Sequence, residues 1–479
     1  MEKKNNTLII GFLITLLVYF AYITSIYYIA GDQFKYRDSP GNITLVQATK
    51  PVGEITDQLE IKQVFLSKIN TIEEFSLMFA TYNRKNIGNI RVSIFDEENQ
   101  KALYAKDVDV STLKDNSVLT FKIPNPIKNV SDRKLSIVIT SDNKDKANAV
   151  TVYFNDKIKL KDSQLLFNNK LQNGTLSFSV SGIEPISFGK YYFVFMPLIG
   201  LAMALYFLNL YMKAKFKKKS MGLNLIYAFK KYRFLVNQLV SRDFKSKYKR
   251  SILGVIWSFL NPLVTMTVQY IVFSNLFRFD IDNYTVYLLT GVVFFNFFNE
   301  ATNQSMNSIV GNSALITKVY VPKFIYPISK VLSSTINLLL SIIPLVAVLI
   351  ITGVKFTPSY ILLPLGFLFI IIFSLGIGFI LSSIMVFFRD TQFLWGIIVM
   401  LWMYLTPIFY PETILPDGLK FIMDANPLYH FIKFIRIIIM QGISPEPNLY
   451  LTCLLYSFIT LIIGSLFFKK TQDKFVINM

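Results

Sequence analysis

A basic amphipathic stretch that runs straight into a charge-free one constrains this chain more than any other feature. Between residues 223 and 250, Leu225, Phe229, Tyr232, Leu235, Val236, Leu239 and Val240 recur at steps of three and four. That spacing predicts a helix with one apolar face. Its other face carries Lys230, Lys231, Arg233, Arg242, Lys245, Lys247, Lys249 and Arg250, opposed only by Asp243. Such a helix suits a membrane surface, where apolar side chains sink to the acyl boundary and cations meet anionic headgroups. From Ser251 to Phe277 no residue is charged. At about 1.5 Å per residue that run crosses a hydrocarbon core of about 30 Å. The pattern predicts a surface helix feeding a spanning helix; a basic linker beside a span is the plainer reading of the same residues.

Composition agrees with a polytopic membrane protein: 53% of the 479 residues are hydrophobic and 15% aromatic. Residues 31–190 hold 22 basic and 19 acidic side chains, so most of the net charge of +19 lies beside the hydrophobic runs. Placed there, it reads as membrane orientation and excludes nucleic acid as the expected partner. The single cysteine, Cys453, rules out a disulfide within one chain.

Residues 1–30 read as an uncleaved N-terminal anchor: two lysines precede an apolar run at 8–30, and no clear small-residue cleavage site follows. The N-terminus is then expected in the cytoplasm and residue 31 onward outside. Residues 31–190 change character. Strand-like segments at 61–67, 74–82, 89–96, 118–123, 135–140, 149–154 and 176–180 are punctuated by Asn86, Gly88, Asn99, Asp115, Asn116 and Asp142. They predict an extracytoplasmic antiparallel β-sandwich, faintly similar to jelly-roll carbohydrate-binding modules. Tyr82, Arg84 and Asn86, with Lys85, are candidate glycan contacts on a turn between strands; a polar loop on a passive spacer is the other reading. Residues 191–222 return the chain to the cytoplasm through a second span at 191–212. Five cations within 213–219 mark its inner end.

In residues 223–479, further apolar segments at 284–303, 327–353, 360–388, 392–410 and 449–468 give six spans, and eight in the whole chain. Lys318, Lys323, Arg389, Lys469, Lys470 and Lys474 fall on the expected inner side, which also places the C-terminus in the cytoplasm. Residues 406–442 are too apolar for a hydrated loop and too broken by Pro407, Pro411, Pro416 and Pro427 for a span, so they predict a re-entrant segment on the outer side. The one histidine, His430, lies there without companions that would make a metal site or a catalytic triad.

From about residue 230 onward the chain resembles the permease subunits of ABC exporters for cell-surface polysaccharides, O-antigens and teichoic acids. The resemblance is carried by residues 242–263, 311–327, 387–390 and 406–411, with Asn426-Pro427-Leu428 and Arg436, in that order along the chain. It implies an interface helix at Arg242, Asp243, Lys245 and Tyr248, and a coupling loop touching an ATPase through Asn312, Leu315, Ile316 and Lys318. It further implies two copies of the chain, two ATPase subunits, and a lipid-linked glycan or teichoic-acid-like polymer as cargo. The setting is the bacterial cytoplasmic membrane. No G-x-x-x-x-G-K-[ST] loop occurs in the chain, so ATP and Mg are expected on the partner and no cofactor or catalytic site here.

A glycan loses hydration in lipid, so a path between two copies is expected to offer aromatic walls. Trp257, Tyr270, Phe273, Trp395, Trp402 and Tyr404 are the candidates, although aromatics in spans more often face lipid or pack in the core. Glu300 is either a gate residue or sits at headgroup level. Three other readings stay open: a drug or small-lipid exporter of the same fold, a membrane-anchored glycan-binding or sensory protein, and a membrane glycosyltransferase. Residues 1–222 depart from the commonest six-span form of the family.

Overall fold

In the computed structural model the described residues are 2–478 apart from 44–47, 219, 249–255, 277–282, 320, 415, 417 and 419. They divide into two compact units, Phe34–Tyr191 and the remainder.

The first unit is a β-sandwich. Its strands are β1 (Tyr36–Ile43), β2 (Lys50–Pro51), β3 (Ile61–Leu66), β4 (Thr71–Ala80), β5 (Asn89–Asp96), β6 (Lys101–Asp109), β7 (Ser117–Lys128), β8 (Lys134–Ser141), β9 (Thr151–Asn155), β10 (Gln164–Phe167), β11 (Lys170–Gln172), β12 (Thr175–Leu176) and β13 (Phe178–Pro185). One sheet runs β1-β13-β4-β9-β12, with β7 on β4 and β2 on β9; the other runs β11-β10-β3-β8-β5-β6. All pairings between these strands are antiparallel. Alternation along the strands turns Phe65, Phe75, Leu77, Phe79, Val92, Ile94, Ile137, Ile139 and Phe178 into one shared core.

The seven strands expected from alternation all fall on observed strands, to within a few residues. Strand β6 escapes the sequence because it edges its sheet and is largely exposed on both faces, which leaves no alternation to read. Ile137 lies on β8, in the interior of its sheet and wholly buried. Truncating it to alanine is expected to lower the stability of this unit by about 2–5 kcal/mol, measured by denaturant unfolding of residues 34–191.

The Asp96 carboxylate accepts from the Asn99 side chain at 2.8 Å, from Glu98 N at 3.0 Å and from Arg133 at 3.2 Å. Led by the Asn99 bond, these contacts hold its pKa below the usual carboxylate range. A carboxylate held down in the fold contributes stability at neutral pH and loses it as pH falls through the folded value. The acid limb of the unfolding curve should therefore flatten in Asp96→Asn.

The second unit is helical. Its main elements are α1 (Glu2–Ala30), α2 (Tyr192–Lys215), α3 (Met221–Tyr248), α4 (Trp257–Leu276), α5 (Tyr284–Met306), α6 (Ile325–Ile351), α7 (Leu363–Phe387), α8 (Thr391–Leu405), α9 (Pro427–Arg436) and α10 (Pro447–Thr471). Among the described residues five helices are long and apolar enough to cross a membrane: Leu8–Ala30, Tyr192–Lys215, Ile325–Ile351, Pro358–Phe387 and Pro447–Asn478. The other three expected spans have identifiable departures. Helix α5 is long enough but carries Asn296, Asn299, Glu300, Asn303 and Gln304. Helix α8, at 15 residues, reaches only about 22 Å. The expected span at 252–277 includes positions outside the described residues.

Helices α1 and α2 form a hairpin, held by Tyr19 Oη donating to Met196 O and Tyr192 Oη to Ile23 O. In the bundle, α7 packs along α10 and against α5, and α6 along α5. Gly376 is why α7 and α10 can touch: a Cβ there would lie 2.6 Å from the Thr460 backbone. Small residues at such crossings let backbones approach closely where apolar burial gives no advantage over lipid.

Candidate functional site

One end of the helical unit is organised by α3. Its apolar face, expected to meet lipid, instead packs on the chain itself. Val236 and Leu239 join Ile309, Ile316, Ile325, Tyr326, Phe379, Val386, Phe468 and Phe475 in one cluster, flanked by Tyr232, Leu235 and Val240. Phe229 stays exposed.

The polar face of α3 is tied down by ion pairs. Asp243 meets Lys330 of α6 at 2.8 Å and Arg242 at 3.1 Å. Arg242 also donates to the Asn312 side chain at 3.2 Å, and Asn312 in turn donates to Ser308 O at 2.7 Å. Lys247 pairs with Glu300 of α5 at 2.8 Å, and Glu300 also accepts from Gln304 at 2.7 Å and Asn337 at 2.6 Å. Glu300 thus binds within this network. Two adjoining cavities, of about 400 and 280 Å³, share Gln304 and Lys330 and are walled by Arg242, Asn303, Asn307, Asp243, Lys247 and Asn337. Lys245 is exposed on the same helix. The side chain of Tyr248 and the 249–255 part of the expected interface segment lie outside the described residues.

The expected coupling residues sit on a 3-10 turn, Val310–Asn312, followed by the short helix Ser313–Ile316. Three of the four point inward, which corrects the expectation that they meet a partner. Asn312 and Ile316 are buried and Leu315 half-buried in the α3 cluster, so they anchor the loop. The exposed positions are Gly311, Ala314, Thr317, Lys318 and Val319.

The expected wall aromatics also divide. Trp257, Tyr270 and Tyr404 are exposed. Trp395 is 6% exposed and donates to Thr302 Oγ1 at 3.3 Å, so within this chain it belongs to the core and not to a wall. Trp402 donates to Asn426 Oδ1 at 2.8 Å and packs edge-on against Phe298 and Phe373. The side chain of Phe273 lies outside the described residues.

On the sandwich, Tyr82 and Arg84 are exposed and stacked, with the guanidinium 4.7 Å from the ring centroid. Partial burial raises the Tyr82 phenol pKa. Asn86 is 2% exposed and donates to Thr81 O at 3.2 Å. It shapes the loop from inside, which corrects the expectation that it contacts glycan. No cluster of three metal-ligating side chains occurs among the described residues.

The far end of the bundle is closed by the broken segment after α8. Asn426 caps α9 through Leu428 N at 3.0 Å. Glu412, Tyr429 and Lys433 bond one another at 2.7–2.8 Å. Arg436 is buried against the backbone of Tyr287, Pro407 and Ile408.

Sequence reasoning passed over Lys330, Tyr284 and Tyr287. Lys330 carried a usable signal: it is the one charged residue in the 27-residue helix α6, and a cation at such a depth calls for a partner.

A bundle of apolar helices with a basic helix docked across one end through ion pairs defines a polytopic membrane protein. Residues 235–440 match the family described as ABC-2 type transporter. The O-antigen export system permease protein RfbA of Klebsiella pneumoniae is 31% identical over 240 residues, covering 50% of this chain and 92% of that protein. RfbA of Myxococcus xanthus is 30% identical over 250 residues, covering 51% and 95%. The polysialic acid transport protein KpsM of Escherichia coli is 23% identical over 248 residues, covering 51% and 96%. The chain belongs to the ABC-2 type transporter family, as a membrane permease. Membership implies an ABC ATPase partner; the β-sandwich lies outside the matched residues.

Lys330→Ala should leave the half-buried Asp243 with Arg242 as its ion-pair partner and cost about 1–3 kcal/mol. Thermal unfolding in detergent checks this, and the double variant with Asp243→Asn should recover part of the loss.

Proposed function

We propose that this chain is the permease subunit of an ATP-driven exporter that moves a lipid-linked cell-surface polysaccharide outward. Two copies of the chain would work with two ATPase subunits. The cargo follows the printed names of the relatives; a teichoic-acid-like polymer is the neighbouring chemistry, distinguished by phosphate in its backbone. Both termini and α3 would face the cytoplasm, in keeping with the lysines in the last turns of α2 and α10. The sandwich would then stand outside, with Tyr82 and Arg84 as its contact for the emerging chain.

The observation that carries the reading is the construction of the 309–319 loop. Its buried side chains fix it to α3, while Ala314, Thr317, Lys318 and Val319 are exposed and form a surface that suits docking. Arg242 links that loop to the Asp243–Lys330 pair, so a push on the loop reaches α3 and α6 together. Binding and hydrolysis of ATP on the partner would bias this end between two arrangements.

The test is copurification. Thr317→Glu with Val319→Arg should abolish retention of the ATPase and stop surface display of polymer, while the permease still folds. Retention of the partner by this variant, with display intact, would overturn the reading. Phosphate analysis of the displayed polymer separates polysaccharide from teichoic-acid-like cargo.

A further inference from the structure

Four consecutive backbone carbonyls, those of Pro407 to Tyr410, are satisfied by side chains. Arg436 Nη1 donates to Pro407 O at 2.6 Å and Nη2 to Ile408 O at 3.2 Å. Tyr284 Oη donates to Phe409 O at 2.7 Å. Tyr287 Oη reaches both Pro407 O at 3.0 Å and Tyr410 O at 2.8 Å. The same guanidinium turns back to Tyr287 O through Nε at 3.2 Å and Nη2 at 2.9 Å, and its carbon lies 3.4 Å from the Tyr287 ring centroid.

Arg436 is 7% exposed, and among the described residues it has no carboxylate within ion-pair distance. A buried cation balanced by carbonyl dipoles and one ring is an expensive way to close a turn that hydroxyls could serve. The planar fork makes four bonds from three nitrogens, to Tyr287 O, Pro407 O and Ile408 O, more than the three that a lysine ammonium can donate from a single point. Gly291 leaves room for it: a Cβ there would lie 2.6 Å from Nη2.

The turn so held carries aromatic side chains. Tyr410 Oη donates to Tyr404 O at 2.8 Å, the Tyr404 and Phe409 rings lie 6.3 Å apart, and Tyr404 is 59% exposed. We propose that Arg436, with Tyr284 and Tyr287, is a positioning residue for export: this carbonyl collar fixes the exposed Tyr404 ring where sugar rings leave the membrane path. Tyr404 closes helix α8 and meets the held turn through the Phe409 ring and the Tyr410 hydroxyl. A pyranose face slides over an aromatic ring held still, whereas a ring whose supports move gives each sugar a new place to stick. The inference rests on the export reading above and adds to it a residue set at the exit.

The full chain in complex with its ATPase, in cells lacking the native permease, provides the test. Tyr287→Phe removes the hydroxyl that two collar carbonyls share and keeps the ring beneath Arg436; Arg436→Lys keeps the charge and loses the fork; Gly291→Ala crowds Nη2. Surface polysaccharide is read by periodate oxidation and hydrazide dye, above a permease-deleted background. Loosening of the end of α8 against the turn is read by the rate at which an impermeant maleimide labels Tyr404→Cys in a Cys453→Ala background. Tyr287→Phe and Gly291→Ala should label about tenfold faster. They should also display about tenfold less polymer at an ATPase rate within about twofold of the parent.

Loss of ATPase and display together, in proportion to folded permease, would reduce the collar to a structural knot and overturn the proposal. Unchanged display in Tyr287→Phe would overturn it as well. If Arg436→Lys fails to fold, the other two variants decide. A parent complex that displays no polymer would instead refute the export reading itself.

Discussion

Hydrocarbon offers no hydrogen bonds, and that one deficit governs the broken segment that closes the helical unit opposite α3. A helix answers it within itself, but residues 406–410 cannot, because Pro407 and Pro411 break the ladder. The carbonyls freed there are met by Arg436, Tyr284 and Tyr287 from two other helices. Irregular backbone is thus tolerated at this depth because protein surrounds it. The same reasoning explains the Asn426 cap on α9 and the Trp402 bond to that cap.

The α3 end solves a different problem with charge. Arg242, Lys247 and Lys330 face Asp243 and Glu300, and the amides of Asn312, Gln304 and Asn337 fill the remaining positions. Half-buried pairs of this kind add little net stability, since desolvation offsets attraction. What they give is direction: α3 docks in one register on α5 and α6. The apolar cluster beneath supplies adhesion, and the ion pairs choose where it acts. A helix that read as a membrane-surface element therefore became part of the protein's own end face, because Val236 and Leu239 found apolar partners within the chain.

The fold class was legible because two periods dominate the chain. Alternation in 61–96 and 118–154 gave the sandwich, and long uncharged runs gave the apolar helices, including Ile325–Ile351 and Pro447–Asn478. Neither period speaks for β6, which buries almost nothing, nor for the inward turn of Asn312, Leu315 and Ile316. Whether a short loop residue faces a partner or its own core depends on tertiary contacts that a single helical turn does not encode. Asn86 and Trp395 failed for the same reason: residue type suggested recognition, but each had a neighbour to satisfy. Arg436 was visible as part of a motif, while its function as a donor to carbonyls required the turn to be seen.

Strands β1 and β13 lie side by side and antiparallel, with Tyr36 opposite Pro185. The sandwich therefore begins and finishes at one spot on its own surface. In the chain it is preceded by α1 and followed by α2, which are cross-bonded to each other through Tyr19 and Tyr192. A folded insert whose ends already lie together adds little to the entropy of bringing α1 and α2 side by side. Evolution could thus add, exchange or discard the sandwich as a cassette, leaving the machinery of residues 223–479 to diversify on its own.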